Sequence, residues 1–294
     1  DRGFKTAGAC GKQALTMCMG LGCGAVGVTG ARIIDSPRER LIAIITNSFV
    51  PCNGRFPAII AITAMFLTTG GRFASLQSAL IMTAAIAFSV LVTLAASWVL
   101  SKTVLKGVPA SFTLELPPYR ILRVGKVLLC SVLDRTLVVL GRAAAVAVPA
   151  GVIIWACSNI EIGGETVLKA AAAVLDPFAR LFGMDGNVLC GFILALPANE
   201  IALPIMAMGY SGGALAEISS LEATAALFAA NGFSTVNAVC TLVFILFHWP
   251  CATTILTIWK ETKSLKWTVL SVIVPLIAGL LLCFLINITA KLFI

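Results

Sequence analysis

GLGCGAVGVTG, residues 20–30, and ALPANEIALP, residues 195–204, are short interruptions in otherwise apolar stretches of this chain. If those stretches lie in a bilayer, each interruption leaves backbone amides and carbonyls without water. Broken helices at membrane depth are tolerated only around a cavity or a pathway. The two segments therefore indicate where the function of the chain lies.

The composition indicates that the chain is surrounded by lipid rather than by water. Hydrophobic residues make up 59% and charged residues 12% of the 294 residues, and the mean hydropathy is +1.02. This composition predicts an all-α, polytopic membrane protein. The net charge of +8 does not indicate nucleic-acid binding, because the basic residues lie in short loops between apolar runs. Such residues are typical determinants of membrane topology.

Neither a disulfide framework nor a cleavable signal peptide is visible. The cysteines are spread through apolar segments without a CxxC pair, as expected for small buried residues in a bacterial-type inner membrane. Residues 1–12 contain Arg2, Lys5 and Lys12 but no apolar core before a cleavage site. We therefore expect the chain to begin inside a larger protein.

Loop charges orient the apolar runs. The runs are 13–31, 41–69, 74–100, 127–157, 187–210, 224–259 and 267–290. Lysine and arginine concentrate in loops 1–12, 32–40 and 101–126, whereas 158–186 and 211–222 are mainly acidic. The positive-inside rule places the three basic loops in the cytoplasm and the two acidic segments outside.

Runs 13–31 and 187–210 each begin and end on one side of the membrane, so we predict two re-entrant hairpins. Residues 187–196 would form a helix of about 15 Å, half of the ~30 Å hydrocarbon core. The hairpin tips should therefore meet near the midplane. An interrupted span, containing Pro51 or Pro250, follows each hairpin, and an uninterrupted span comes next.

This order predicts two inverted repeats, residues 1–100 and 187–294. Between them we expect a cytoplasmic interfacial loop at 101–126, a linking transmembrane helix at 127–157 and an external amphipathic segment at 158–186. Inverted repeats with broken helices at the midplane are typical of secondary transporters. The alternative is a set of ordinary spans with glycine kinks.

Four sequence blocks resemble the FeoB family of bacterial ferrous-iron transporters, in the same order. They are GKQALTMCMGLGCGAVGVTGARIIDSPRERLIAIITNSFVPCNGRFPAII (11–60), LELPPYRIL (114–122), GMDGNVLCGFILALPANEIALPIMAMGY (183–210) and HWPCATTILTIWKETKSLKW (248–267). The resemblance implies a Gate region of the bacterial cytoplasmic membrane that imports Fe²⁺ as its substrate, without a cofactor. It also implies an upstream GTP-binding domain. Because no GxxxxGK[ST] loop occurs here, we expect this chain to be no enzyme.

The helix breaks supply candidate iron ligands. Fe²⁺ accepts thiolate, imidazole, carboxylate and amide oxygen, and a conduit must bind it weakly enough to release it. We predict a midplane metal site of Cys23, Cys52, Asn199, Glu200 and Cys251, with the cysteine roles resting on the resemblance as well as on position. Packing is the alternative for the cysteines. For Glu200 the alternative is a protonated acid bonded to hairpin amides.

Other polar residues in the spans have structural explanations. Arg55 is expected to bind broken-helix carbonyls or to pair with a carboxylate. His248, three residues before Cys251, would share a helical face with it if the helix persists, although a satisfied polar anchor is the commoner role. Packing is expected for the cysteines in continuous apolar runs, which are Cys18, Cys130, Cys157, Cys190, Cys240 and Cys283.

Two other functions remain open at this point. A nucleoside or other small-solute carrier is the main alternative, because related Gate segments are associated with nucleoside recognition. Few amide or hydroxyl side chains that could bind a base or ribose lie at the breaks. A non-transporting membrane assembly is the other alternative, and assembly as a homo-oligomer is open.

Overall fold

A computed structural model gives the architecture of the chain. The residues it describes are 6–68, 73–106, 137–162, 164–212 and 220–293, together with positions 4, 125, 129 and 133. These residues are mostly helical, with one two-stranded antiparallel hairpin formed by Glu161–Ile162 and Glu165–Thr166. The expected all-α class is confirmed, and the small β-hairpin is an addition to it.

The helices are numbered here in chain order. They are α1 (Gln13–Gly22), α2 (Gly24–Gly30), α3 (Pro37–Thr46), α4 (Phe56–Ile62), α5 (Ala74–Lys102), α6 (Leu137–Asn159), α7 (Val167–Leu181), α8 (Gly186–Leu194), α9 (Ala202–Tyr210), α10 (Leu221–Ala230), α11 (Thr235–Phe247), α12 (Ala252–Thr262) and α13 (Leu265–Phe293). Short 3-10 turns lie at Ala31–Ile33, Asn47–Phe49, Asn53–Arg55 and Asn199–Ile201, and a π-helical turn lies at Thr63–Leu67.

Four stretches of the described residues are long and apolar enough to cross a membrane. They are Pro37–Leu67, Ala74–Lys102, Thr235–Thr262 and Leu265–Leu292. The first and third are interrupted, as the sequence predicts, at Pro51 and Pro250. Proline causes each interruption because it lacks the amide hydrogen and clashes with the carbonyl one turn earlier.

The first predicted hairpin consists of α1 and α2, which meet at the single extended residue Cys23 (φ −151°, ψ 127°). Two glycines allow the helices to pack directly on each other. A Cβ added to Gly27 would lie only 2.9 Å from Cα of Gly20, whereas residues seven apart in one straight helix are separated by about 10.5 Å. The chain therefore reverses at Cys23.

We expect Gly27→Ala to lower the thermal stability of the protein, because the added methyl group would also lie 2.3 Å from Oδ1 of Asn47. Overpacking of this kind costs about 1–3 kcal/mol. Gly22→Ala is the matched control, since a Cβ there meets nothing within 4 Å. Thermal unfolding of both purified variants in one detergent tests the close approach. Equal unfolding midpoints would contradict it.

The second predicted hairpin consists of α8 and α9, joined through residues 195–198 and the 3-10 turn Asn199–Ile201. Gly191 lets the two arms approach closely, because a Cβ there would lie 2.6 Å from Cγ of Met206 and 3.3 Å from the carbonyl oxygen of Ala202. Each arm is half the length of a spanning helix or less. The re-entrant position of both hairpins in a membrane stays a prediction.

The third span begins later than the sequence suggests. We predicted one apolar run over 224–259, but α10 ends at Ala230 and α11 begins at Thr235. Gly232 adopts a positive φ of 84°, and Ser234 forms a capping box with Asn237. These are helix stop and start signals, so the continuous hydropathy concealed a turn.

The segment between the repeats is described in part. The predicted linking helix 127–157 corresponds in its described part to α6, which covers Leu137–Asn159. Most of the predicted loop 101–126 lies outside the described residues. The amphipathic helix α7 buries Leu168 and Ala172. It lies against the start of α8, where a Cβ on Gly186 would meet the carbonyl oxygen of Ala172.

Candidate functional site

The breaks in the helices meet at one small cavity. Its lining residues come from both hairpins and both interrupted spans, and they are Gly24, Asn47, Ser48, Val50, Cys52, Arg55, Asn199, Pro250, Cys251 and Thr254. The cavity has a volume of about 10 Å³, roughly the space that one water molecule requires. Segments that are far apart in sequence therefore contribute backbone breaks to one point.

Three of the predicted ligands occupy equivalent positions at these breaks. Cys23 is the N-cap of α2, Cys52 is the N-cap of the 3-10 turn before α4, and Cys251 is the N-cap of α12. Cys52 and Cys251 both line the cavity, and Cys23 directly precedes its lining residue Gly24. A helix N-terminus favours the thiolate form of cysteine, which is the metal-binding form.

The second hairpin brings Asn199 and Glu200 to the same place. Asn199 is 7% exposed and lines the cavity. Glu200 is exposed, and its Oε2 lies 2.9 Å from the Cβ position of Gly54, which is itself 4.0 Å from Sγ of Cys52. Within the described part of the chain, Glu200 makes no hydrogen bond or ion pair. The alternative of an acid bonded to hairpin amides is therefore not observed.

The five predicted ligands are gathered without forming a closed metal cage. Cys52, Asn199 and Cys251 line the cavity, Cys23 precedes the lining residue Gly24, and Glu200 lies beside the cavity. No group of three or more His, Cys, Asp or Glu side chains within the described ranges is arranged to hold a metal ion. The arrangement is a set of neighbouring soft and oxygen donors around an ion-sized space.

Arg55 binds the carbonyls of the other interrupted span, as one of our two expectations for it proposed. It is 3% exposed, and its guanidinium donates to the carbonyl oxygens of Leu246 (2.8 Å), His248 (3.2 Å) and Trp249 (3.3 Å). These carbonyls lose their helical partners where α11 ends. Arg55 thus replaces the missing amide donors and joins the two interrupted spans at the cavity.

His248 is a buried polar anchor rather than a residue on the helical face of Cys251. It ends α11, and the chain becomes extended before Cys251 begins α12, so the helix does not persist as the face argument required. Its Nδ1 contacts the carbonyl oxygens of Phe244 and Ile245 at 3.1 and 3.0 Å. Both are acceptors, which places the proton on Nδ1. Nε2 lies 3.3 Å from Oδ1 of Asn199; with the proton on Nδ1 both atoms are acceptors, so a hydrogen bond here requires the amide to present its nitrogen to the ring.

Asn47 is a site residue to which the sequence interpretation gave no role in the metal site. Its Nδ2 donates to the carbonyl oxygen of Gly24 (2.9 Å) at the tip of the first hairpin. Its Oδ1 lies against Gly20 and Gly27, at 2.6 and 2.3 Å from their Cβ positions. The glycines of the first hairpin therefore make room for Asn47. An amide within an apolar run was the available signal.

Each hairpin contacts the interrupted span of the other half. In the first pairing, a Cβ on Gly24 would lie 2.9 Å from Oγ1 of Thr254, and Arg32 binds Glu261 through both carboxylate oxygens at 2.8 and 2.5 Å. In the second pairing, Glu200 contacts Gly54. The first hairpin thus contacts the second interrupted span, and the second hairpin contacts the first interrupted span.

The cysteines assigned to packing have several different environments. Cys190, Cys240 and Cys283 are buried, and the thiols of the last two contact each other's carbonyl oxygen at 3.8 and 3.2 Å. Cys157 is half-buried. Cys18 is exposed, so core packing does not explain it, and Cys130 lies outside the described residues.

Two family models match the chain. The model described as "Ferrous iron transport protein B C terminus" matches residues 82–133, and the Gate model, described as "Nucleoside recognition", matches residues 140–265. Through these two matches the chain is similar to the FeoB family. With four stretches among its described residues that are long and apolar enough to span a membrane, the chain is a multi-pass protein of the cell membrane.

Curated proteins named Fe(2+) transporter FeoB are similar over nearly the whole chain. The protein of Staphylococcus aureus strain MSSA476 is 29% identical over 97% of this chain and 41% of its own length. That of Methanocaldococcus jannaschii is 24% identical over 99% of this chain and 43% of its own length. The chain thus spans less than half of these relatives. No solved structure matches it significantly.

Proposed function

We propose that this chain forms a path for import of ferrous iron, and that Fe²⁺ passes the cavity at the helix breaks. The observation that carries the proposal is that two N-cap cysteines, Cys52 and Cys251, line one small cavity, while a third, Cys23, directly precedes its lining residue Gly24. Fe²⁺ accepts thiolate, carboxylate and amide oxygen ligands. The relatives named as Fe(2+) transporters support iron as the substrate.

The open arrangement of donors suits transport better than storage. A conduit must bind its ion strongly enough to admit it and weakly enough to release it. Glu200 would attract the cation from beside the cavity, the thiolates would ligate it, and Asn199 would add a neutral oxygen. The negative charge of these groups must outweigh the fixed positive charge of Arg55, which lines the same space.

The cavity volume also favours an ion over a nucleoside. The description of the Gate model makes a nucleoside the second candidate. Small-molecule pockets usually have volumes of about 300–1,000 Å³, whereas this cavity has about 10 Å³. To enter this cavity, a nucleoside would therefore require the hairpins to separate, while a dehydrated cation would not.

Flux measurements distinguish the two substrates. We expect liposomes that contain the protein to take up Fe²⁺ under anaerobic conditions and to exclude radiolabelled adenosine. An Fe²⁺-quenched dye inside the liposomes reports the first flux, and filtration reports the second. Empty liposomes are the control. Adenosine uptake without iron uptake would replace iron by a nucleoside as the proposed substrate.

We further propose that the two halves are inverted repeats. The order of hairpin, interrupted span and continuous span occurs once in α1 to α5 and again in α8 to α13, with α10 inserted in the second. The exchanged contacts between hairpins and interrupted spans are what a pseudo-two-fold axis in the membrane plane would produce. Attachment to the GTP-binding domain of the family is part of the same proposal.

Labelling from the two sides of the membrane tests the inversion. We expect Asp35→Cys to react with a membrane-impermeant maleimide from the cytoplasm and Glu161→Cys to react from outside, because the loop charges place them there. Both side chains are exposed. Both substitutions should be made in a parent protein from which the exposed Cys18 has been removed, so that Cys18 does not react with the maleimide. Reaction of both positions from one side would be incompatible with inverted repeats.

A further inference from the structure

A buried polar cluster adjoins the cavity on the side of the first hairpin. Gln13 is 1% exposed, and its Nε2 donates to Oγ1 of Thr46 (2.9 Å) and to Oγ of Ser97 (3.1 Å). Oε1 of Gln13 is buried and has no hydrogen-bond partner among the described residues. A buried acceptor without a hydrogen-bond partner costs free energy in an apolar medium, so we expect this oxygen to bind a ligand.

The hydroxyl groups around Gln13 can only accept further hydrogen bonds, because they donate their hydrogens elsewhere. Thr46 donates its hydrogen to the carbonyl oxygen of Ile42 (2.8 Å), and Ser97 donates to that of Thr93 (2.9 Å). Neither hydroxyl can then donate to Gln13, which fixes the orientation of the amide with Oε1 pointing away from both. The cluster therefore presents oxygen acceptors whose hydrogens are already engaged.

These oxygens continue from the cavity towards the end of α5. Asn47 and Ser48 follow Thr46 directly and line the cavity, and Oδ1 of Asn47 and Oγ of Ser48 have no hydrogen-bond partner in the described part of the chain. At the other end, Ser101 lies one helical turn beyond Ser97. We name Ser48, Asn47, Thr46, Gln13, Ser97 and Ser101 the oxygen track.

The oxygen track ends beside basic loop residues. Oγ of Ser101 lies 2.3 Å from the Cβ position of Gly8, and Arg38 donates to the carbonyl oxygen of Leu105 at 2.5 Å. The positive-inside rule assigns this end to the cytoplasm. One end of the oxygen track thus lies at the cavity, and the other lies at the side on which imported iron would leave.

We propose that the oxygen track is the cytoplasmic half of the cation path and binds a partly hydrated divalent cation through neutral oxygens. This proposal rests on the proposed function. Neutral oxygens hold a divalent cation less strongly than thiolates or carboxylates, so a cation moving from the cysteines to the track is moving towards release. Helix packing explains small buried hydroxyls, but it does not explain the unpartnered oxygen of Gln13.

Mn²⁺ binding tests the oxygen track separately from the cysteines. In protein with Cys23, Cys52 and Cys251 replaced by serine, we expect Gln13→Glu to bind Mn²⁺ at least about tenfold more tightly than Gln13→Leu, because a carboxylate strengthens an oxygen site. Electron paramagnetic resonance titration in nanodiscs measures both affinities. Equal Mn²⁺ affinities of the two variants would overturn the proposal.

Flux through a matched pair of serine variants gives an independent test. Ser97 and Ser271 are both 0% exposed in long spans, and each donates to a backbone carbonyl of its own helix. We expect Ser97→Val to reduce Fe²⁺ flux about tenfold and Ser271→Val to leave it unchanged. Equal fluxes of the two variants would refute the track. Absence of Fe²⁺ flux in the parent would refute the proposed function, and Mn²⁺ binding would still decide on the track.

Discussion

We expect Cys52→Ser and Cys251→Ser each to lower Fe²⁺ uptake by about tenfold or more in cells that express the full-length protein. Serine nearly preserves the volume of cysteine but replaces a soft sulfur ligand with a hydroxyl that stays protonated. Both residues are N-caps at breaks, and serine is a favourable N-cap. The backbone at the breaks should therefore persist while the ligand is lost.

Glu200→Gln should have a similar effect for an electrostatic reason. The carboxylate of Glu200 lies beside Gly54 and makes no hydrogen bond or ion pair with the described residues, so folding should not depend on its charge. Without that negative charge, the positive charge of Arg55 at the cavity is less neutralised. The barrier to a divalent cation then rises.

Two cysteines away from the breaks are controls. Cys283 is buried and its thiol contacts the carbonyl oxygen of Cys240 at 3.2 Å, a contact that a serine hydroxyl can also make. Cys18 is exposed on the same hairpin as Cys23. Cys283→Ser and Cys18→Ser should retain uptake. Normal uptake by well-expressed Cys52 and Glu200 variants would contradict the ligand assignment, and so would equal losses in the controls.

Local sequence signals predicted the broken helices well. Pro51 and Pro250 remove backbone donors whatever their surroundings, so both interruptions could be located in the chain. The glycine-rich residues 20–30 indicated the first break, which the structure places at Cys23. Hydropathy alone hid the turn between α10 and α11, although Gly232 and Ser234 mark it.

The contacts between breaks could not be predicted from local signals. The partners of Arg55 at the end of α11 are 191 to 194 residues away along the chain, and nothing in either segment alone specifies this pairing. The same holds for Asn47, whose role depends on glycines of another element. Residue types could nominate candidate ligands, but only tertiary packing shows that Cys52 and Cys251 line one cavity and that Cys23 lies next to it.

Arg55→Leu should destabilise the protein more than any other single change discussed here. The guanidinium is 3% exposed and donates to three carbonyls at the end of α11. Each hydrogen bond from a charged donor contributes about 1.5–3 kcal/mol, so the loss of two or more corresponds to about 3–6 kcal/mol. Water cannot replace these donors at membrane depth. Thermal unfolding in detergent should show a large decrease in the midpoint.

Arg55→Lys separates the charge of this residue from its geometry. Lysine keeps the positive charge at the cavity but lacks the planar fork that reaches Leu246, His248 and Trp249 together. We therefore expect an intermediate loss of stability, with one or two carbonyls still bound. If Arg55→Leu unfolds at the same temperature as the parent, the carbonyl contacts are not what joins the interrupted spans. If lysine restores full stability, positive charge alone is sufficient, and the fork geometry inferred from the three distances has no energetic role.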